Sequence, residues 1–61
     1  MKLRQYLMNL YNDPIIGEEL IIDMVYSVID GDHTAEDVLI ANNIDIRFAN
    51  ELIDEINNFK K

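Results

Sequence analysis

The chain has no cysteine, no tryptophan, one proline, two glycines and only five basic residues among 61. Without cysteine, neither a disulfide nor a thiolate zinc site can reinforce the fold, and a reducing, cytoplasmic setting is the expectation. No apolar run approaches the roughly 20 residues that a membrane span needs. Lys2 and Arg4 are not followed by the unbroken apolar stretch of a secretory signal. Low-complexity segments and linkers are absent too, so residues 1–61 read as a single domain. At this length folding hides only about 60% of the surface of the extended chain, and the core must be thin.

The shortage of bases is sharper than the net charge of −7 suggests. Lys2, Arg4, Lys60 and Lys61 lie at the two ends, and from Asp13 to Glu55 twelve acids face one base, Arg47. A surface of that kind repels phosphate backbones and anionic lipid, and it attracts basic partners. Direct nucleic-acid binding and membrane binding are therefore disfavoured.

Hydrophobic residues nevertheless make up 49% of the chain, more than a thin core can hide, and homodimerisation is one way to cover the excess. Ile, Asn, Lys, Tyr and Phe, whose codons are AT-rich, total 25, against 8 for Gly, Ala, Arg and Pro. That bias points to an AT-rich bacterial or phage genome.

The apolar positions recur with helical spacing. Leu3, Leu7, Leu10 and Tyr11 share one face of a first helix over residues 2–11. Asp13 is suited to cap a second helix over 14–30, with Pro14 at its first position and Glu18 and Glu19 near its positive end. Ile16, Leu20, Ile21, Met24, Val25, Val28 and Ile29 form a broad apolar arc there, widened by Ile15, Ile22 and Tyr26. Gly17 weakens this helix and opens a later start at Glu18.

Gly31 stands where a left-handed residue would close the second helix. Thr34 and Asp37 resemble a capping box for a short helix from Ala35 to Ala41, with Val38 and Leu39 inward and Asn42 and Asn43 ending it. Asp45 caps a fourth helix reaching Asn58, with Ile44 as a hydrophobic staple against Ala49. Its inward stripe is Phe48, Ala49, Leu52, Ile53, Ile56 and Phe59, and Lys60 and Lys61 suit its negative end. The fold class is all-α: a compact bundle of three to four short helices.

Val38, Ile44, Ala49 and Leu52, with Asn43 at the usual turn glycine, give the last two helices a spacing that resembles a helix-turn-helix. The likeness spans about a third of the chain. It departs from the motif at Leu39, where a small residue is usual, and at Asn42, where an apolar one is. The face that would read DNA carries Asp45, Glu51 and Asp54 beside Arg47 and Asn50, a poor match to phosphates.

Asp30, Asp32, His33, Glu36 and Asp37 are the one cluster with metal-ligand residue types, but Gly31 falls at the second position and no calcium-loop ladder follows. They read as helix-end caps, and no metal or cofactor is expected. His33 is the single candidate base near neutral pH, without an activated nucleophile, phosphate loop or paired-carboxylate cleft around it. An enzyme is not expected.

Two features remain. Glu19, Asp23 and Asp30, then Glu36 and Asp37, then Glu51, Asp54 and Glu55 place acids on three successive helices, either as a solvated surface or as a partner-binding face. Tyr6, Met8, Tyr11 and Tyr26 either complete the core or anchor an interface. The expected function is a small acidic module that binds and regulates or inhibits a basic, nucleic-acid-handling protein, with a phage-encoded inhibitor as the fitting origin. A helix-turn-helix transcriptional regulator and a structural dimerisation module are the alternatives.

Overall fold

The computed structural model describes residues 2–31 and 33–60. Met1, Asp32 and Lys61 lie outside them, and with them the expected parts of Asp32 among the helix-end caps and Lys61 at the last helix end. The described residues form four α-helices, α1 (Leu3–Tyr11), α2 (Pro14–Asp30), α3 (Ala35–Ala41) and α4 (Ala49–Lys60), with a 3₁₀ turn at Ile46–Phe48 leading into α4. The all-α bundle anticipated from apolar spacing is the fold.

Most punctuation follows from capping chemistry. Asp13 Oδ1 accepts from the Ile15 N–H at 2.9 Å, and Thr34 Oγ1 accepts from the Asp37 N–H at 3.1 Å, each satisfying a donor that the first helical turn leaves free. Asn12 adopts a left-handed conformation at φ 51°, and the Asp13 N–H reaches back to the Met8 carbonyl at 3.2 Å to close α1. The end of α3 repeats this device. Asn43 is left-handed at φ 59°, its N–H donates to the Ile40 carbonyl, and the Ile44 N–H donates to the Leu39 carbonyl at 2.9 Å. This is a Schellman closure, and its hydrophobic contact residues, Leu39 and Ile44, are both buried. Ile44 thus serves the end of α3 as well as the approach to α4.

The end of α2 and both ends of α4 differ from expectation. Gly31 is extended, at φ −118° and ψ 178°, so α2 does not end on a left-handed residue. Space is the reason for glycine there, since a Cβ would lie 2.9 Å from the Ser27 carbonyl oxygen and 3.0 Å from His33 Cδ2. After Asp45, whose Oδ1 accepts from the Arg47 N–H at 2.9 Å, the chain first makes a 3₁₀ turn, a tighter start often seen at helix ends. α4 then continues to Lys60, beyond the expected end at Asn58.

Gly17 lies inside α2 and is buried. A Cβ on it would meet Met8 Cγ and the Met8 backbone N at 3.1 Å, so α1 crosses α2 closely enough that a larger residue would push Met8 aside by a few tenths of an ångström. α2 starts at Pro14 behind the Asp13 cap although glycine costs a helix about 1 kcal/mol relative to alanine.

The core comprises Leu3 and Leu7 of α1, Ile21, Met24 and Val25 of α2, Val38 and Leu39 of α3, then Ile44, Phe48, Leu52 and Ile56. The Tyr6 ring leans on Phe48 with centroids 4.7 Å apart. Leu10, Ile16, Ile53 and Phe59, all on faces expected to point inward, are exposed, and so is Tyr11, a candidate for either core or interface. The molecule measures 30 × 23 × 17 Å, under two helix diameters across its thinnest direction, so every helix keeps one face in water. The C-terminal helices meet α1 at Arg4 and Tyr6 near its start, leaving Leu10 and Tyr11 uncovered at the other end.

Leu52 is fully buried whereas Ile53, its neighbour, is 44% exposed. Leu52→Ala should cost about 2–5 kcal/mol, enough to unfold so small a domain, and Ile53→Ala should cost less than about 1 kcal/mol, as read by urea denaturation. At the helix crossing, Gly17→Ala should bring none of the stabilisation that alanine gives an open helix, and Gly17→Leu should cost about 1–3 kcal/mol or more through overpacking. A thermal melt showing Gly17→Ala to be more stable would refute the close-approach account.

Candidate functional site

The described residues contain no buried polar or charged side chain, and their charge chemistry is at the surface. Its centre is Arg4. From the first turn of α1, the guanidinium grips both oxygens of Glu55 on α4, Nε to Oε1 at 3.1 Å and Nη2 to Oε2 at 2.9 Å, while Nη1 pairs with Glu18 of α2. One base from the chain's start thus ties three helices together. Bidentate geometry of this kind is a match between the planar guanidinium and a carboxylate.

The Arg4 hydrogen bonds hold the Glu55 carboxyl below the usual glutamate range, against a smaller opposing effect of burial. The same carboxylates hold the Arg4 guanidinium protonated well beyond its ordinary range. Sequence reading missed this cluster because its partners stand 14 and 51 residues from Arg4, with no local spacing to mark them. The sole hint is that Arg4 is an isolated base on a helix otherwise without charge beyond Lys2.

The eight carboxylates picked out as a partner-binding face fall into three sets. Glu19, Asp23 and Asp30 are exposed along α2, and Glu36 and Asp37 are exposed at the start of α3. On α4, Glu51, Asp54 and Glu55 share a shallow hollow with Lys2, Leu3 and Asn58. Glu55 is taken up by Arg4, and Glu51 Oε2 is covered without a hydrogen-bond partner among the described residues. Ion pairs among the described residues otherwise engage only Glu18 with Arg4 and Asp45 with Arg47, the latter at 3.7 Å. Glu19, Asp23, Asp30, Glu36, Asp37 and Asp54 have no salt bridge there.

Of the candidate anchors, Tyr6 and Met8 are half-buried in helix packing, against Phe48 and beside Gly17 respectively. Tyr11 and Tyr26 keep exposed rings, and Tyr26 meets Phe59 edge-on with centroids 5.0 Å apart. Between α2 and α4 lies an open groove of about 240 Å³, bordered by Arg4, Ile22, Glu55, Asn58 and Phe59 over Ile21 and Val25.

His33 and Asp37 border a smaller hollow of about 140 Å³ with Ser27, Val38, Ala41 and Asn42. The Ser27 hydroxyl donates to the Asp23 carbonyl at 2.9 Å, and the Asn42 amide donates to the Val38 carbonyl at 2.8 Å, so both are engaged in closing helical turns. Among the described residues, no group of three or more His, Cys, Asp or Glu side chains is arranged to hold a metal ion.

In the corner between α3 and α4, Val38, Ile44 and Leu52 are buried and Ala49 is half-buried, around the left-handed Asn43. On its outer side Asp45, Arg47, Asn50 and Asp54 are exposed, with Arg47 held over the Phe48 ring at 5.2 Å. No helix of the described residues is long and apolar enough to cross a membrane. No family model, curated protein or solved structure matches the chain. The protein is a small all-α bundle with an acidic surface.

The Arg4–Glu55 pair makes stability depend on acidity in one direction. A lowered carboxylate stabilises the fold above the ordinary glutamate pKa of about 4.3, and that contribution is lost as pH falls through the lowered folded value. Arg4→Met should therefore be less stable than the parent chain by up to about 1 kcal/mol at pH 7, a figure kept small by solvent around a guanidinium side chain that is 40% exposed. Below pH 4 the gap between the two proteins should close, as measured by urea titrations across pH. A gap that stays constant down to pH 2 would place the Arg4 contribution in packing.

Proposed function

We propose that this chain is an acidic, cytoplasmic protein-binding module that regulates or inhibits a basic protein, one whose natural ligand is nucleic acid. The observation that carries the reading is the imbalance of countercharge. Arg4 is spent on Glu18 and Glu55, and Arg47 lies beside Asp45. Glu19, Asp23, Asp30, Glu36, Asp37 and Asp54 face solvent with no ion pair among the described residues. A surface serving solubility alone usually mixes signs, whereas one this uniform steers a basic surface into contact and opposes a nucleic acid. Carboxylates then stand where phosphates would lie on the partner, and exposed aromatic and aliphatic side chains add affinity. The bias toward residues with AT-rich codons fits a phage-encoded inhibitor.

A second reading rests on the α3–α4 corner, where the left-handed Asn43 and buried Val38, Ile44 and Leu52 suit a helix-turn-helix regulator. Its acidic outer side argues for reuse of that corner in protein binding over DNA reading.

Capture from nuclease-treated bacterial lysate separates these readings. The parent chain should recover a basic nucleic-acid-handling protein, less of it as salt rises. A variant with Glu19, Asp23, Glu36, Asp37 and Asp54 all changed to Lys should keep its helical circular dichroism and recover none. Equal recovery by that variant would remove the acids from the account. Retention of DNA at physiological salt in untreated lysate would favour the regulator.

A further inference from the structure

Helix α2 is apolar over most of its circumference, yet the bundle covers only one side of it. Ile15, Ile22 and Tyr26 recur at i, i+7 and i+11, which puts them on one outer stripe. They are 69%, 45% and 46% exposed. At the C-terminal half of this stripe, Phe59 from the end of α4 closes on Tyr26, and the groove over Ile21 and Val25 opens beside them. An apolar strip continued across two helices and bordered by polar side chains marks an interaction surface.

Charge decides what covers it. Glu19, Asp23 and Asp30 run along α2 at i, i+4 and i+11 beside the apolar stripe, exposed and without an ion pair among the described residues. The opposite border holds Arg4 with Glu18 and Glu55, one positive charge against two negative. A second copy would lay the same acidic track near its own image, in a molecule that already carries −7. A helix with an apolar stripe flanked by lysine or arginine complements both features, as in helix-in-groove recognition.

We propose that the α2–α4 groove receives an amphipathic, basic helical segment of the partner protein. Its apolar stripe lies on Ile22, Tyr26 and Phe59, and its basic flank faces Glu19 and Asp23. This inference rests on the reading that the chain binds a basic protein, and it adds where that contact is made and by which secondary structure.

The test uses the full chain and three synthetic peptides of about 18 residues: a helix with leucine at i, i+3, i+4 and i+7 and lysine elsewhere, its glutamate-for-lysine twin, and a proline-interrupted lysine version. The lysine helix should shift the backbone amides around Ile22, Tyr26 and Phe59 and bind at least tenfold more tightly than either control, with affinity falling between about 50 and 300 mM salt. Ile22→Ser and Phe59→Ser, both at exposed positions, should each weaken it tenfold with helicity unchanged, and Glu19→Lys with Asp23→Lys should reverse the preference between lysine and glutamate peptides. Equal binding of the two charged helices, or binding of neither, overturns the proposal. A dimer in sedimentation that Ile22→Ser dissociates also overturns it, because a second copy then occupies the groove. If the lysine helix binds but shifts amides at Glu36, Asp37 and Asp54 instead, the groove assignment falls while the basic-partner reading stands.

Discussion

The close crossing of α1 over α2 at Gly17 is the constraint on which the rest of the molecule depends. With a Cβ-free residue under Met8, the first helix settles onto the second at a distance that an added Cβ would crowd. On the helix so placed, Leu3 and Leu7 are buried in the core and the Arg4 guanidinium pairs with Glu18 and with Glu55 on the last helix. A chain of 61 residues has little buried area in reserve, so one close packing contact and one three-helix ion cluster matter more here than in a larger domain.

The same geometry shapes the surface. Because Arg4 absorbs two carboxylates, the remaining acids on α2 and α3 stand without countercharge among the described residues. Because α1 occupies only one side of α2, the opposite stripe of Ile15, Ile22 and Tyr26 is left bare beside an open groove. Acidic and apolar features that composition reports as separate excesses thus become neighbours on one helix. Adjacent acidic and apolar stripes on one helix are the pattern that a basic amphipathic helix complements.

In so small a domain the division between side chains that hold the fold and side chains left at the surface follows burial. Leu39, Leu52 and Phe48 hold the fold, while Tyr26 and Phe59 keep large rings in water against the usual tendency to hide them. Tyr6 and Met8 belong to the first group, since packing against Phe48 and Gly17 covers part of each.

Local chemistry was legible in the sequence alone. Helix number, the caps Asp13, Thr34 and Asp45, and the turn at Asn42 and Asn43 follow from interactions between residues a few positions apart, which spacing displays directly. The central inward residues, Leu7, Ile21, Met24 and Leu52, follow from helical periodicity. Tertiary structure decided which side of each apolar helix is covered, since periodicity gives a stripe but not the neighbour that lies on it. Leu10, Ile16, Ile53 and Phe59 are outside for that reason, in a molecule too thin to cover them. It also decided the role of Gly17, the extended conformation of Gly31, and the Arg4 cluster, because a close approach and an ion pair across 51 residues exist only once the helices have crossed.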